Sequence, residues 1–380
     1  MTLKSQRDLF DIPRDTIYLN AAYMTPATKR MEEIGKETLE SLKHPWNFSA
    51  EDFFTQTEKT RSMAGALLGV SAETLAFVPS ASYGVATAAR NITVDKGDVI
   101  LMLEGQFPSN VYEWQDVARD KGAEIVMVAA PQNHDWTSAI LACLHKVGER
   151  LALAALPNVH WSNGALIDLE KIAPLVRASG AALVLDLTQS LGAMETDLIA
   201  IDPDFAVTAC YKWLFGPYST GLLYVAPRHL GGQALEQNWI VRAGSEDFSR
   251  LVNYRDQYQA GARRFDVGER SNFTLMPLLQ EALRQVTEWG IDNIAETLND
   301  INRQLSQICR DAGFTPIPDQ HRGPHMLGVD VGLDKGEALM TRLKDAGVSA
   351  SLRGSMLRIA PHLWIDDYDI EHFKKLISSL

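Results

Sequence analysis

Residues 182–225 read ALVLDLTQSLGAMETDLIAIDPDFAVTACYKWLFGPYSTGLLYV. This pattern predicts two apolar strands, ALVLDL and AVTACYKW, which carry Asp186 and Lys212 near their ends. A Gly-Pro turn and a third apolar run, TGLLYVA, follow them. Buried Asp and Lys side chains are rare unless they are paired or take part in chemistry. Because ligands of open α/β sheets bind at the carboxyl ends of the strands, we expect this acid and this amine to face one pocket.

An amine and a carboxylate placed in this way suit pyridoxal phosphate (PLP). A lysine forms a Schiff base with this cofactor, and a carboxylate keeps its pyridine nitrogen protonated so that the ring can accept electrons. The alternative interpretation is a core ion pair between Asp186 and Lys212. Paired buried ions seldom give a net gain in stability, which favours the cofactor site.

Other residues near this pair extend the pattern. They are Gln189 and Ser190 in an Asp-x-x-Gln-Ser motif, the run Tyr211-Lys212-Trp213 with its lysine 26 residues after Asp186, the turn Gly216-Pro217, and Gly221. Together they resemble the class V aminotransferase group of fold-type I PLP enzymes, which includes cysteine desulfurases and kynureninases. The resemblance implies that Lys212 forms the Schiff base, that Asp186 maintains the electron sink, and that Gln189 bonds the ring hydroxyl. It also assigns Tyr211 to the phosphate.

Alternating strand and helix patterns from Thr74 to Ala226 predict parallel βαβ units. We therefore expect an α/β chain with a doubly wound, mostly parallel sheet, followed by a small α+β region. The expected bounds are 16–260 for a large PLP-binding domain and 261–380 for a small C-terminal domain, with residues 1–15 packed on the small one.

The chain has 380 residues, a net charge of -12 and three cysteines without metal-ligand spacing. An acidic balance of this size argues against a nucleic-acid partner. No apolar run reaches the roughly 20 residues of a membrane span, and the first residues lack a signal-peptide core. We expect a cytoplasmic enzyme with reduced thiols, no metal, no membrane partner and a small amino acid as substrate.

The segment Ser80-Ala81-Ser82 lies between a predicted strand and a predicted helix. Small residues at such a turn leave backbone N–H groups free to bind phosphate at the helix N-terminus. Ser at this position can also be a simple helix cap. The family resemblance favours phosphate binding by Ala81 and Ser82, with Tyr83 as a further candidate.

Two predicted strands earlier in the chain than Asp186 are followed by candidate cofactor contacts. Phe107 stands where class V desulfurases place a histidine on the cofactor ring, and the motif Phe107-Pro108-Ser109 is similar to that of kynureninases. A phenyl ring can stack but offers no proton. The resemblance places Asn158 beside the Schiff base and the substrate carboxylate. His160, two residues later, is more typical of a hydrogen-bonding loop residue than of a general base.

Residues 261–273, GARRFDVGERSNF, resemble the class V segment that reaches the phosphate of a neighbouring subunit. The usual threonine is missing, so Ser271 or Asn272 is the expected donor. Arg270 could instead supply charge to a phosphate or a carboxylate. The resemblance implies a homodimer with shared active sites.

Substrate contacts are predicted at both ends of the chain. In LRIAPHLWID, Arg358 matches the family arginine that binds the substrate α-carboxylate, and a guanidinium fork suits that group. In YLNAAY, Tyr23 lines the substrate mouth of the class V pattern or lies in an exposed loop.

The sequence leaves the reaction type open. Group membership favours an aminotransferase, with a C–S lyase, a desulfurase or a kynureninase-like enzyme as alternatives and a non-catalytic PLP-binding protein as a further one. Desulfurases of the group carry a catalytic cysteine on a loop before the carboxylate arginine, but SASLRGSMLRIA contains none. Strand alternation would place Cys210 on the same side as Lys212. Cys143 and Cys309 lie in helical patterns typical of core positions.

Overall fold

A computed structural model describes residues 2–378. Its α-helices are α1 (Lys29–Ser41), α2 (Asp52–Leu68), α3 (Ala81–Ala89), α4 (Tyr112–Lys121), α5 (Trp136–Val147), α6 (Leu169–Ala178), α7 (Leu198–Ile201), α8 (Leu275–Trp289), α9 (Ile291–Asp311), α10 (Leu333–Asp345) and α11 (Asp367–Ser378). Its strands are β1 (Ile17–Tyr18), β2 (Leu75–Val78), β3 (Val99–Leu103), β4 (Glu124–Val128), β5 (Leu151–Pro157), β6 (Ala182–Asp186), β7 (Phe205–Ala209), β8 (Gly221–Val225), β9 (Thr315–Pro316), β10 (Leu327–Asp330), β11 (Val348–Ser349), β12 (Ser351–Arg353) and β13 (Met356–Ile359).

The large sheet has seven strands in the order β2-β8-β7-β6-β5-β3-β4. Strands β4, β3, β5, β6 and β7 pair in parallel, whereas β8 runs antiparallel to both of its neighbours. The strands are apolar because helices cover both faces, as a buried parallel sheet requires. The predicted doubly wound, mostly parallel α/β architecture is confirmed.

Strand β3 shows how the two faces are covered. Leu101 packs in a core that includes residues of α5 and α6, whereas Ile100 and Met102 pack in a second core with residues of α3 and α4. Successive side chains of a strand point to opposite faces, so one continuous apolar run supplies both cores.

A smaller antiparallel sheet follows, in the order β12-β13-β10-β9. Its core combines residues of α9, α10 and α11 with Phe10, Ile17 and Leu19 from the N-terminal segment. Arg7 Nη1 also lies 2.7 Å from Asp369 Oδ2 of α11. The domain boundary at residue 261 stays a prediction. Asp266, just beyond it, accepts a hydrogen bond from Phe77 N in the large sheet.

The predicted strand AVTACYKW is shorter in the structure and does not include Lys212. Strand β7 ends at Ala209, and Lys212 lies in a turn that follows it. Cys210 N donates to Thr220 O, and Gly216 N donates back to Cys210 O, which folds the chain on itself before β8 begins. In residues 2–378 we find no helix with the length and apolarity needed to cross a bilayer.

Candidate active site

Asp186 is the last residue of β6 and is buried at the carboxyl edge of the large sheet. Its Oδ1 accepts a hydrogen bond of 3.0 Å from Thr188 N. Burial raises the pKa of this carboxyl, while the contacts with Thr188 and the charge of Lys212 oppose the shift. An acid in this setting needs a positively charged partner to remain ionised.

Lys212 lies on the neighbouring turn after β7 and is also buried. Its carbonyl accepts hydrogen bonds from Thr25 Oγ1 at 2.8 Å and from Phe215 N at 3.1 Å, which fix the backbone. Phe215 has a φ of 58°, an unusual conformation for a bulky residue. Such strain is often found at functional sites, where the surrounding fold must hold it in place.

The amine of Lys212 lies near two aromatic rings. Its Nζ is 5.6 Å from the ring centroid of Phe107 and 5.5 Å from that of Tyr211. Burial lowers the pKa of Lys212 to about 8; the charges of Arg358 and Arg353 add to the shift and Asp186 opposes it. The neutral, nucleophilic amine is therefore accessible near neutral pH.

Both groups line a cavity of about 450 Å³, here called the inner cavity. Predicted site residues that line it are Ala81, Ser82, Phe107, Asp186, Gln189, Tyr211 and Lys212. A second cavity, here called the outer cavity, adjoins it and shares Lys212, Tyr211 and Gln189. It brings in two further predicted residues, Tyr23 and Arg358.

The N-terminus of α3 opens onto the inner cavity. Ser80 caps the helix by accepting a hydrogen bond of 3.2 Å from Tyr83 N, and its hydroxyl lies 2.9 Å from that of Ser82. The first N–H groups of a helix have no partner within the helix, so those of Ala81 and Ser82 suit an anion. Gly84 permits this placement, because a Cβ there would lie 2.5 Å from Val207 Cγ2 of β7.

Gln189 connects the cavity to two other parts of the chain. Its Nε2 donates to Ala22 O at 3.1 Å, and its Oε1 accepts from Trp213 Nε1 at 3.1 Å. These bonds fix the amide orientation and leave one N–H of the Nε2 group for a ligand.

Arg358 is buried where the small sheet meets the outer cavity. Its Nη1 donates to Trp161 O at 2.8 Å, and its Nη2 lies 3.4 Å from Asn20 Oδ1 and Ser351 Oγ. Its Nε has no partner among residues 2–378. Burial is the main cause that lowers its pKa to about 10, and the charge of Arg353 adds to the shift. A buried guanidinium without a carboxylate is costly, so this site is suited to a ligand carboxylate.

Several predicted site residues do not line either cavity of their own chain. Asn158 donates from Nδ2 to Thr196 Oγ1 at 3.2 Å, and its Oδ1 is buried without a partner in the described chain. Ser271 donates to Phe53 O, and Asn272 Oδ1 accepts from two N–H groups at the start of α8. Their roles stay predictions.

Arg270 is engaged elsewhere. Its guanidinium is fully buried, pairs with Asp266 and donates to Gln259 Oε1 at 3.1 Å. It belongs to an internal ion-pair group that also contains Arg61 and Glu58.

The lining residues that sequence reasoning missed include four with polar or aromatic side chains. Thr188, Trp161 and Tyr218 line the inner cavity, and Arg353 lines the outer one beside Trp161 and Tyr218. Thr188 lies within the Asp-x-x-Gln motif and could have been noted. The other three lie on loops or on a hairpin whose approach to Lys212 depends on packing between distant segments.

The cysteine nearest to Lys212 in sequence does not share its pocket. Cys210 packs in the core between the sheet and the α5, α6 and α8 side, and it lines neither cavity. Strand alternation does not apply to it because β7 has already ended. Burial raises its pKa to about 12.

The chain is similar to known proteins in sequence and in fold. The family model Aminotransferase class-V matches residues 41–357. Kynureninase of Bacillus cereus is 26% identical over 386 aligned residues, which cover 97% of this chain and 88% of that protein. An uncharacterized aminotransferase of Schizosaccharomyces pombe is 25% identical over 329 residues, covering 85% of this chain and 81% of that protein.

A solved structure shows the same fold. A lysine-to-alanine mutant of the cystine C–S lyase C-DES, with glycine covalently linked to its PLP cofactor, has a TM-score of 0.87 at 16% identity over 98% of this chain and 99% of that chain. This chain belongs to the aminotransferase class V family. It is a PLP-dependent amino-acid enzyme with the fold-type I architecture.

The residues present fit this cofactor. The inner cavity offers a buried amine with a pKa of about 8, a carboxylate at the next strand end and a helix N-terminus for a phosphate. Lys212 would hold the aldehyde carbon of PLP, and Asp186 would hold its ring nitrogen. Ala81 and Ser82 would hold its phosphate.

Proposed function

We propose that the protein is an aminotransferase that removes the amino group of an α-amino acid, with PLP attached to Lys212. One observation carries this proposal. The Lys212 amine, the Asp186 carboxylate and the unpaired guanidinium of Arg358 converge on adjoining cavities. An α-amino acid presents the complementary groups, since its amine must approach the cofactor while its carboxylate binds a guanidinium fork.

When bound, PLP supplies the electron sink that stabilises negative charge at the substrate Cα. Lys212 Nζ would take the proton from the substrate Cα, and its lowered pKa suits this proton transfer near neutral pH. Asp186 keeps negative charge beside the ring nitrogen and so favours its protonated form. Gln189 donates its free N–H to the ring hydroxyl.

The remaining contacts orient the reactants. Ala81 and Ser82 bind the phosphate through the α3 N-terminus, with Tyr211 as a hydroxyl donor. Phe107 covers one face of the ring. The unpartnered Oδ1 of Asn158 is supporting evidence that its side chain turns to the cofactor on binding.

Arg358 binds the α-carboxylate, and Tyr23 flanks the substrate at the mouth of the outer cavity. We also propose that the protein is a homodimer in which Ser271 or Asn272 reaches the phosphate of the partner copy. The resemblance of residues 261–273 to the class V segment that reaches a neighbouring subunit supports this role. Sedimentation of the wild-type holoprotein and of the Asn272→Ala holoprotein tests this arrangement.

The reaction type is tested by incubating the holoprotein with a panel of amino acids. Keto acid, sulfide and the amino form of the cofactor are then assayed. Transamination predicts stoichiometric keto acid and amino-form cofactor with no sulfide. Sulfide, or a cleaved side chain without the amino form, would contradict it.

An enzyme that cleaves a bond at the substrate Cβ, by kynureninase-type hydrolysis or as a C–S lyase, is the second candidate. The kynureninase relative covers nearly the whole chain, and Phe107 replaces the histidine expected for a desulfurase. An assay for anthranilate release from kynurenine distinguishes this candidate from transamination.

A further inference from the structure

The small sheet presents two arginines to the outer cavity. In the β12–β13 pair, Ser351 lies directly opposite Arg358, and Arg353 lies opposite Met356. Side chains two residues apart on a strand point to the same face, so Arg353 shares the face of Ser351 and Arg358. Arg353 and Arg358 are diagonal neighbours across the ladder, a relationship that separates two residues by roughly 7–8 Å. Both side chains line the outer cavity together with Lys212.

Neither guanidinium has an acidic partner. Among residues 2–378, no carboxylate oxygen lies within 4.0 Å of the nitrogens of Arg353 or Arg358. Arg353 Nη1 donates to the carbonyl of Leu352 at 2.9 Å, and its guanidinium lies 5.5 Å from the ring centroid of Trp161. Its Nε is buried without a partner in the described chain.

Two unpaired like charges on one face of a hairpin repel each other. One substrate carboxylate on Arg358 would relieve part of this cost and would leave Arg353 and its unpartnered Nε unsatisfied. The overall charge of the chain is -12, so the positive mouth is a local reversal of sign. Such a reversal attracts anions to a cleft.

We propose that the substrate is an α-amino acid whose side chain ends in a second anionic group, such as a carboxylate, and that Arg353 binds this group. The inference rests on the proposed function because it assigns the α-carboxylate to Arg358. The diagonal spacing suits a short dicarboxylic amino acid, whose two acid groups can reach both guanidinium groups. Trp161 positions Arg353 through the cation–π contact and holds the fork at the cavity wall.

The competing interpretation is an arginine that only covers Trp161 and extends into water. The two interpretations differ in ligand preference. A covering arginine predicts equal binding of mono- and dianionic ligands once Arg358 is occupied. A binding arginine predicts a preference for two acid groups that disappears with Arg353.

Calorimetric titration of the holoprotein with unreactive acids tests this difference without turnover. We expect glutarate or succinate to bind at least about 10-fold more tightly than butyrate, the loss of one charged contact being of that order. Arg353→Gln should remove the preference, whereas Arg353→Lys should retain part of it. The matched control Arg303→Gln removes an exposed arginine of α9 and should leave the preference intact.

The same variants are compared in turnover. Arg353→Gln should raise KM for L-glutamate or L-aspartate at least about 10-fold while leaving KM for L-alanine within about twofold. Equal binding of butyrate and glutarate by the wild type overturns the inference, as does an unchanged preference in Arg353→Gln. If Arg353→Gln does not fold, the binding of butyrate and glutarate by the wild type and by Arg353→Lys still tests the inference.

Failure of the proposed function gives a different result. Visible absorbance and borohydride attachment of the cofactor to Lys212 are measured on the same samples. Their presence without a preference for dicarboxylates overturns only the inference. Their absence overturns the assignment of Lys212 on which the proposed function depends.

Discussion

Asp186 ends β6 and Lys212 lies on the turn after the neighbouring strand β7, and burial shifts their pKa values towards each other. The pKa of Lys212 falls to about 8, and that of Asp186 rises. No ion pair within 4.0 Å joins them in the described chain, so the two groups face a shared cavity instead of neutralising each other. A structural ion pair would have brought the amine and the carboxylate into contact. A cofactor ring can instead fill the space between them.

Lys212→Ala should abolish covalent attachment of PLP. We expect turnover to fall at least about 1000-fold, or ~4 kcal/mol, because both the attachment point and the proton carrier are lost. Borohydride reduction followed by peptide mapping measures the attachment. Lys171→Ala is the matched control, since its side chain is exposed on α6. A reducible covalent adduct in Lys212→Ala would show that another residue holds the cofactor.

Asp186→Ala should impair chemistry more than cofactor binding. Without the carboxylate the ring nitrogen is less protonated, and we expect a loss of at least about 100-fold in turnover, or ~2.7 kcal/mol. The phosphate contacts at α3 remain, so PLP should still bind. Asp186→Asn, which keeps the shape and removes the charge, should behave similarly. A near-normal rate in either variant would remove Asp186 from the mechanism.

Arg358→Lys should raise KM for amino acids by at least about 10-fold with a smaller effect on kcat. Lysine keeps the charge but cannot reproduce two parallel hydrogen bonds to a carboxylate. Steady-state kinetics on the best substrate of the panel measures the change. Arg150→Lys, on an exposed arginine, is the control. An unchanged KM would point to amine substrates or to a different carboxylate anchor.

The buried amine should make the stability of the PLP-free protein depend on pH. Lys212 has a folded-state pKa of about 8 against an ordinary 10.5, so the unfolded chain binds more protons between these values. Wild-type stability should therefore rise as pH increases from 8 to 10.5, and the full cost of about 3 kcal/mol applies below pH 8.

Lys212→Met removes this cost and should be more stable than the wild type at pH 7 in the PLP-free state. The difference should shrink above pH 8 and nearly vanish at 10.5, as measured by denaturant unfolding across that range. A difference that stays constant with pH would assign the effect to packing and not to charge.

No cysteine is expected to take part in catalysis. Burial raises the pKa values of Cys210 and Cys309 to about 12, which suppresses their thiolate forms. A Cys143→Ser, Cys210→Ala, Cys309→Ser variant that folds should keep most of its activity and accumulate no protein persulfide. If Cys210→Ala alone abolishes sulfide release from cysteine while PLP stays bound, the desulfurase interpretation moves ahead of transamination.

The sequence predicted those features that depend on local pattern. Apolar runs and small residues at a strand-to-helix turn were enough to predict the sheet and the position of the Ala81–Ser82 segment. The end of β7 at Ala209 was missed because the hydrogen bonds of Cys210 with Thr220 and Gly216 turn the chain there, and no apolar pattern encodes them. Trp161 and Arg353 were missed for a related reason, since the cavity wall joins loops from distant parts of the chain.

The β12–β13 hairpin has a consequence for how this enzyme could diversify. Residues 351–358 carry both arginines of the outer cavity, whereas the groups assigned to PLP stand on the large sheet and α3. Under the proposed function, substrate choice and cofactor chemistry are encoded on separate pieces of chain. Mutations in eight consecutive residues could retune which side chain is accepted, while the catalytic lysine and its acid evolve under an independent constraint.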